Sequence, residues 1–188
     1  MIRATWQYVR DEALPRIGLI ARGSELWLSV LAGTFWGFFA DGIISGVKPV
    51  DTVASALLTY AAIAFGFCLA GLTLALTLPD GSFARRLASA KSQKQKRDAY
   101  SDLLFVFSWT AICHWVLILA LLALMAISEP TRTLMPGDAS CVHRGIVAII
   151  AAFSVYGILQ FLITLITLSQ VGRTYIEFLS KNQSCDPD

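Results

Sequence analysis

Residues 103–128 read LLFVFSWTAICHWVLILALLALMAIS, a run without Asp, Glu, Lys or Arg that is bracketed by Asp102 and Glu129. It exceeds the roughly 20 apolar residues a helix needs to cross a ~30 Å hydrocarbon core. Outward from it, equally long uncharged windows recur at residues 52–79 and 145–172, with a shorter one at 26–40. The shorter window regains length if Asp41 lies near the headgroups and residues 42–47 carry the helix on. Of the 188 residues 56% are hydrophobic and only 15% are charged, a balance that argues against a soluble fold. The pattern predicts an all-α integral membrane protein with four transmembrane helices plus an N-terminal interfacial helix, all in one membrane domain. The expected order is interfacial helix 1–23, span 24–47, span 50–79, basic cytoplasmic segment 80–101, span 102–128, outer loop 129–144, span 145–172 and tail 173–188.

Orientation follows from where Lys and Arg fall in the short flanks and loops. Arg3, Arg10, Arg16 and Arg22 precede the first span, Arg85, Arg86, Lys91, Lys94, Lys96 and Arg97 fill the central segment, and Arg173 and Lys181 stand in the tail. Only Lys48, Arg132 and Arg144 face the other side. This asymmetry puts both termini and the central segment in the cytoplasm. The first 24 residues are polar or amphipathic and the first apolar stretch is long enough to stay in the membrane, so a retained N-terminus is expected. Cys68 and Cys113 fall within spans, Cys185 in the tail and Cys141 alone in the outer loop. No disulfide framework is expected from that distribution, although pairing of two Cys141 residues across subunits stays open.

Finer patterning adds local expectations. Ile2, Trp6, Val9, Ala13, Ile17 and Ile20 trace one helical face, with Arg3, Gln7 and Arg10 elsewhere, and Pro15 should kink or divide that helix. Such a helix suits the headgroup boundary, or equally the protein's own cytoplasmic surface. Ser24 is the expected N-cap of the first span, whose glycine pairs Gly33/Gly37 and Gly42/Gly46 permit close helix approach. The second span presents Ser55, Thr59, Ala62, Gly66, Ala70, Thr73 and Thr77 as a small, weakly polar stripe opposite a Leu and Phe face. The fourth repeats a polar stripe at Gly157, Gln160, Thr164 and Thr167. Ser82 can cap a helix running through the basic segment into the third span by way of Tyr100.

His114 and His143 are the only histidines and stand in no metal-site spacing, and no phosphate-binding glycine loop, nucleophile elbow or paired-carboxylate set can be assembled. No catalytic residue, metal or cofactor is therefore assigned, and the chain is not read as an enzyme. What remains is movement across the bilayer or association within it. Gln160, Thr164, Thr167, His114 and Asp41 are the pore-lining candidates: hydroxyls and an amide recurring at helical spacing, an imidazole midway along a span, and a carboxylate that would ring an oligomer's mouth. Each has a plainer use, the two stripes packing together, His114 bonding to a neighbouring helix and Asp41 sitting at the outer interface. Arg85, Arg86, Lys94 and Arg97, with Tyr100 for stacking, are the ligand-binding candidates for a nucleotide or oligonucleotide. Topogenic and anionic-lipid roles account for the same charges.

FGFCLAGLTLALTLP at residues 65–79 and YSDLLFVFSWTAICHW at residues 100–115 resemble stretches of small bacterial multi-pass membrane proteins, among them the membrane effector of the Hailong anti-phage system. The resemblance covers the two central spans and the overall layout. It implies a homo-oligomeric channel, a tetramer in that family, in the bacterial inner membrane, opened by a nucleotide signal from a nucleotidyltransferase encoded in the same operon. The basic surface at Arg85, Arg86, Lys94 and Arg97 would then be the ligand site. The competing class is a non-conducting anchor or assembly subunit for a cytoplasmic partner. Reporters fused after Asp188 or inserted within residues 89–95 are expected to read as cytoplasmic, and a periplasmic signal from either position overturns the orientation.

Overall fold

A peptide in hydrocarbon finds no water for its N–H and C=O groups, so a chain with this hydropathy must satisfy them within helices or a closed barrel. The computed structural model describes residues 10, 14–39, 50–77, 99–127 and 140–183, which contain no strand. They form α1 (Leu14–Arg22), α2 (Ser24–Phe38), α3 (Val50–Leu76), α4 (Ala99–Ile127) and α5 (Cys141–Gln183). Three of these, α3, α4 and α5, are long and apolar enough to cross a membrane. With 15 residues, α2 is about 22 Å long at 1.5 Å per residue, short of a ~30 Å core. The residues expected to lengthen it, Asp41 and the Gly42/Gly46 pair among them, lie outside the described residues. So do the basic segment with Arg85, Arg86, Lys94 and Arg97, and the Ser82 cap.

The helix boundaries differ from the expected ones where capping and proline placement overrule hydropathy. Gly23, not Ser24, occupies the N-cap of α2, with extended dihedrals (φ −64°, ψ 135°) and no side-chain cap. Pro15 stands in the first turn of α1, where its missing N–H costs no helical bond; residues 11–13 before it lie outside the described residues. The last helix begins at Cys141, inside the stretch expected to be outer loop, because the Ser140 hydroxyl accepts from the His143 backbone N–H at 3.3 Å and caps it. It then continues past residue 172 to Gln183, since no proline occurs between 141 and 183. Its 43 residues extend about 65 Å, so the first part of the expected tail is a helical extension beyond a bilayer's thickness.

The chain divides into two compact units, Met1–Ala61 with Val116–Leu159, and Ala62–Trp115 with Gln160–Asp188. In the first, Ala54, Ala61, Leu117 and Leu121 form a buried core flanked by Leu57, Leu58, Ile118, Leu124, Met125, Ile150 and Phe153. There α2 meets α5 at the glycine pair read from the sequence. A Cβ on Gly33 would collide with the Ala148 carbonyl and lie 2.5 Å from the Ala152 Cβ, and one on Gly37 would lie 2.5 Å from the Ala148 Cβ. The backbones therefore approach as closely as small residues on both sides allow. In the same unit α1 is tied to α2 by Gly23 N–H donating to the Ile20 carbonyl at 3.1 Å and Trp27 Nε1–H to the Ala21 carbonyl at 3.2 Å. Arg16 of α1 is buried in this unit.

In the second unit Ala75, Leu103 and Phe107 form the core, with Phe67, Leu72, Leu104, Leu168 and Val171 against it. The Phe107 ring fills the space a side chain at Gly71 would need, and the Tyr100 hydroxyl donates to the Ala75 carbonyl at 3.3 Å. Many large apolar residues face outward in both units, among them Ile127, Ile149, Ile63, Leu31 and Trp27. In water so much exposed apolar surface would drive aggregation, whereas in lipid it is solvated.

Replacing Gly33 with Leu should lower the melting temperature in detergent, because overpacking of this kind costs about 1–3 kcal/mol. Gly18→Ala, at a position with open space around it, should leave the melting temperature unchanged, and equal melting of the two variants refutes the close contact.

Candidate functional site

Inside the second unit α4 and α5 meet through polar side chains rather than hydrocarbon. Thr110, His114 and Thr164 are each 0% exposed. The Thr164 hydroxyl donates to the Gln160 carbonyl one turn back at 2.9 Å, which uses its single proton. At the 2.8 Å separation of the two hydroxyl oxygens, Thr110 must therefore be the donor and Thr164 the acceptor. His114 Nδ1 lies 2.8 Å from the Thr110 carbonyl. A carbonyl only accepts, so Nδ1 carries a proton. The Phe161 ring closes the group edge-on, 6.1 Å from the imidazole and 5.3 Å from Phe67. The hydroxyl and imidazole protons so placed point to acceptors within the protein, which is what a low-dielectric interior requires of polar groups.

Of the pore-lining candidates, then, His114 and Thr164 are enclosed within one chain, Gln160 and Thr167 are half-buried, and Asp41 lies outside the described residues. Thr167 donates to the Ile163 carbonyl at 2.9 Å. The ligand-binding candidates Arg85, Arg86, Lys94 and Arg97 also lie outside the described residues, and Tyr100 is half-buried at the start of α4. Thr110 and Phe161 were not singled out from the sequence. Thr110 stands one helical turn before His114, the spacing at which a backbone carbonyl and an imidazole meet, and that was the available signal.

The stripe on α3 has the opposite fate to that on α5. Ser55, Thr59, Ala62, Gly66, Ala70, Thr73 and Thr77 are all exposed, so this stripe does not pack against the one on α5 within the chain. Its hydroxyls turn back onto their own helix: Ser55 donates to Thr52, Thr59 to Ser55, Thr73 to Leu69 and Thr77 to Thr73, at 2.8–3.2 Å. Each is thereby tolerable in lipid and keeps a lone pair outward. Nor does a Leu and Phe face lie opposite. The buried side of α3 is Ala54, Ala61, Ala64, Cys68, Gly71 and Ala75, nearly opposite the stripe at 3.6 residues per turn. The helix thus carries two small-residue faces, one used inside the chain and one open, and its larger residues run along the flanks.

No group of three or more His, Cys, Asp or Glu residues is placed to hold a metal among the described residues. No protein-family model, curated protein or solved structure matches the chain.

The two threonines should be energetically coupled. Thr110→Val, Thr164→Val and the double variant, unfolded in mixed micelles, should give a coupling energy of about 0.6 kcal/mol, the usual size for hydrogen bonds between membrane helices. Strict additivity of the two single effects would remove the bond.

Proposed function

We propose that this chain is a homo-oligomeric, ion-conducting effector of the bacterial cytoplasmic membrane, gated from the cytoplasm. The observation that carries the reading is the exposed α3 stripe from Ser55 to Thr77, a long face that offers little bulky hydrocarbon to lipid and whose hydroxyls bond to their own helix. Copies assembled around it would place hydroxyls and small residues along a shared path, and such a face can hold water where an aliphatic one would dewet. In this reading the Thr110–Thr164–His114 group braces each subunit, while Gln160 and Thr167 stand beside the path rather than forming it. The spans are four, with α2 continued by the residues after it, α1 lies at the cytoplasmic interface, and both termini are cytoplasmic, as the distribution of Lys and Arg favours. The basic residues Arg85, Arg86, Lys94 and Arg97 receive an anionic signal, for which a nucleotide made by an operon partner is the expected chemistry.

A second reading, a non-conducting anchor or assembly subunit, is favoured by the internal satisfaction of the buried polar group, which leaves no polar path inside a single chain's described residues. Both readings use the α3 stripe for assembly, and only one uses it for conduction. Ala70→Cys should form a cross-linked dimer on oxidation, beyond any cross-link made by Cys141 in the parent chain. In liposomes supplied with a panel of nucleotides the parent protein should pass monovalent ions, and Gly66→Leu or Thr73→Leu should reduce that flux more than Ile149→Ala does. Cross-linking without flux under every nucleotide leaves the anchor. Absence of the Ala70→Cys cross-link refutes assembly through this face.

A further inference from the structure

Gln160 stands near the middle of α5, in the run 145–172 that holds no Asp, Glu, Lys or Arg. Any segment of about 20 residues drawn from that run, the length that spans a ~30 Å core, contains it. Its backbone carbonyl accepts from the Thr164 hydroxyl at 2.9 Å, but its side-chain carboxamide makes no hydrogen bond within the described residues. Two N–H donors and one C=O acceptor are thus left over at a depth where neither water nor hydrocarbon satisfies them. The side chain is half-buried, as are Ile163 and Thr167, which follow at three and four residues. That is the spacing of a left-handed helix seam, in which a single polar residue fixes the register. Leu162, Leu165 and Ile166, on the other side of the helix, are exposed.

We infer that Gln160 is a contact between copies of this chain, its carboxamide N–H donating to the carboxamide oxygen of Gln160 in a second copy. A carboxamide is self-complementary: its positive N–H end fits the negative C=O end of another. Copies inserted in the same orientation carry Gln160 at the same depth, so a second copy supplies the missing acceptor and donor together, whereas an acyl chain supplies neither. Ile163 and Thr167 extend the contact as the next residues of the seam. The contact goes beyond the α3 face and stands whether or not copies also meet there.

The test uses full-length protein in mild-detergent micelles, with Cys185→Ser and with donor or acceptor dye on the exposed Cys141, and reads energy transfer as detergent is added. The parent should associate, and Gln160→Leu should lose half its transfer at about tenfold lower detergent, the effect of losing interhelical hydrogen bonds of the usual size. That variant should melt no earlier than the parent, since the amide bonds to nothing in its own chain. Gln160→Glu, self-complementary only while protonated, should associate at pH 5 and separate at pH 9, with the parent level across that range. With Cys141 and Cys185 replaced by Ser, Ile163→Cys should cross-link on oxidation and Ile166→Cys should not. No transfer in the parent, parent-like transfer in Gln160→Leu, or a Gln160→Glu variant no more associated at pH 5 than Gln160→Leu overturns the contact. An earlier melt of Gln160→Leu overturns it as well, because the amide then serves its own chain, and so does equal cross-linking at 163 and 166. If Ile163→Cys cross-links and Ala70→Cys does not, the α3 contact fails and this one holds.

Discussion

The constraint on which everything else depends is that hydrocarbon offers no hydrogen-bond partners. Backbone groups must close on one another, and the described residues do so in helices, three of them long and apolar enough to cross a membrane. The same constraint reaches the side chains. Ser55, Thr59, Thr73 and Thr77 give their protons to carbonyls of their own helix, and Thr110 gives its proton to Thr164 across a helix contact.

A second consequence is that close approach of helices, rather than expulsion of apolar groups by a solvent, decides where small residues are needed. In a soluble domain Leu, Ile and Trp gather in the core because water expels them. In lipid that force vanishes between helices, and close packing takes over. Small residues thus occupy the contacts: Gly33 and Gly37 against Ala148 and Ala152, and Gly71 beneath Phe107. Ile127, Ile149 and Trp27 are left outside. A cavity of about 430 Å³ lined by Val50, Leu57, Ala120, Ile127 and Ala151 is the counterpart of this tight packing, a place in the first unit that the side chains leave unfilled.

These two features bear on function differently. A polar group satisfied inside one chain rigidifies that chain, and His114 is held by its bond to Thr110 and by the Phe161 ring. A small polar face left outside is available to other molecules of the same kind. The α3 face, and not the chemically richer buried set, is therefore open to other copies of the chain.

Three long helices, their approximate places and the glycine contact at Gly33/Gly37 were legible in the sequence, because length, charge-free runs and four-residue glycine spacing are properties of one segment at a time. Helix ends were less so. Hydropathy does not register that Ser140 caps α5 or that residues 173–183 continue it, since caps and proline-free polar extensions contribute nothing to apolar content. The sequence could not decide which of two similar stripes faces inward. Ser55 to Thr77 and Gly157 to Thr167 both place small or hydroxyl-bearing residues at helical spacing, yet the first is exposed, and Thr164 of the second is buried against Thr110. That choice depends on which helix stands beside which. A hydroxyl that can bond to its own backbone is stable in either direction, so only the packing of neighbouring helices turns one stripe in and leaves the other out.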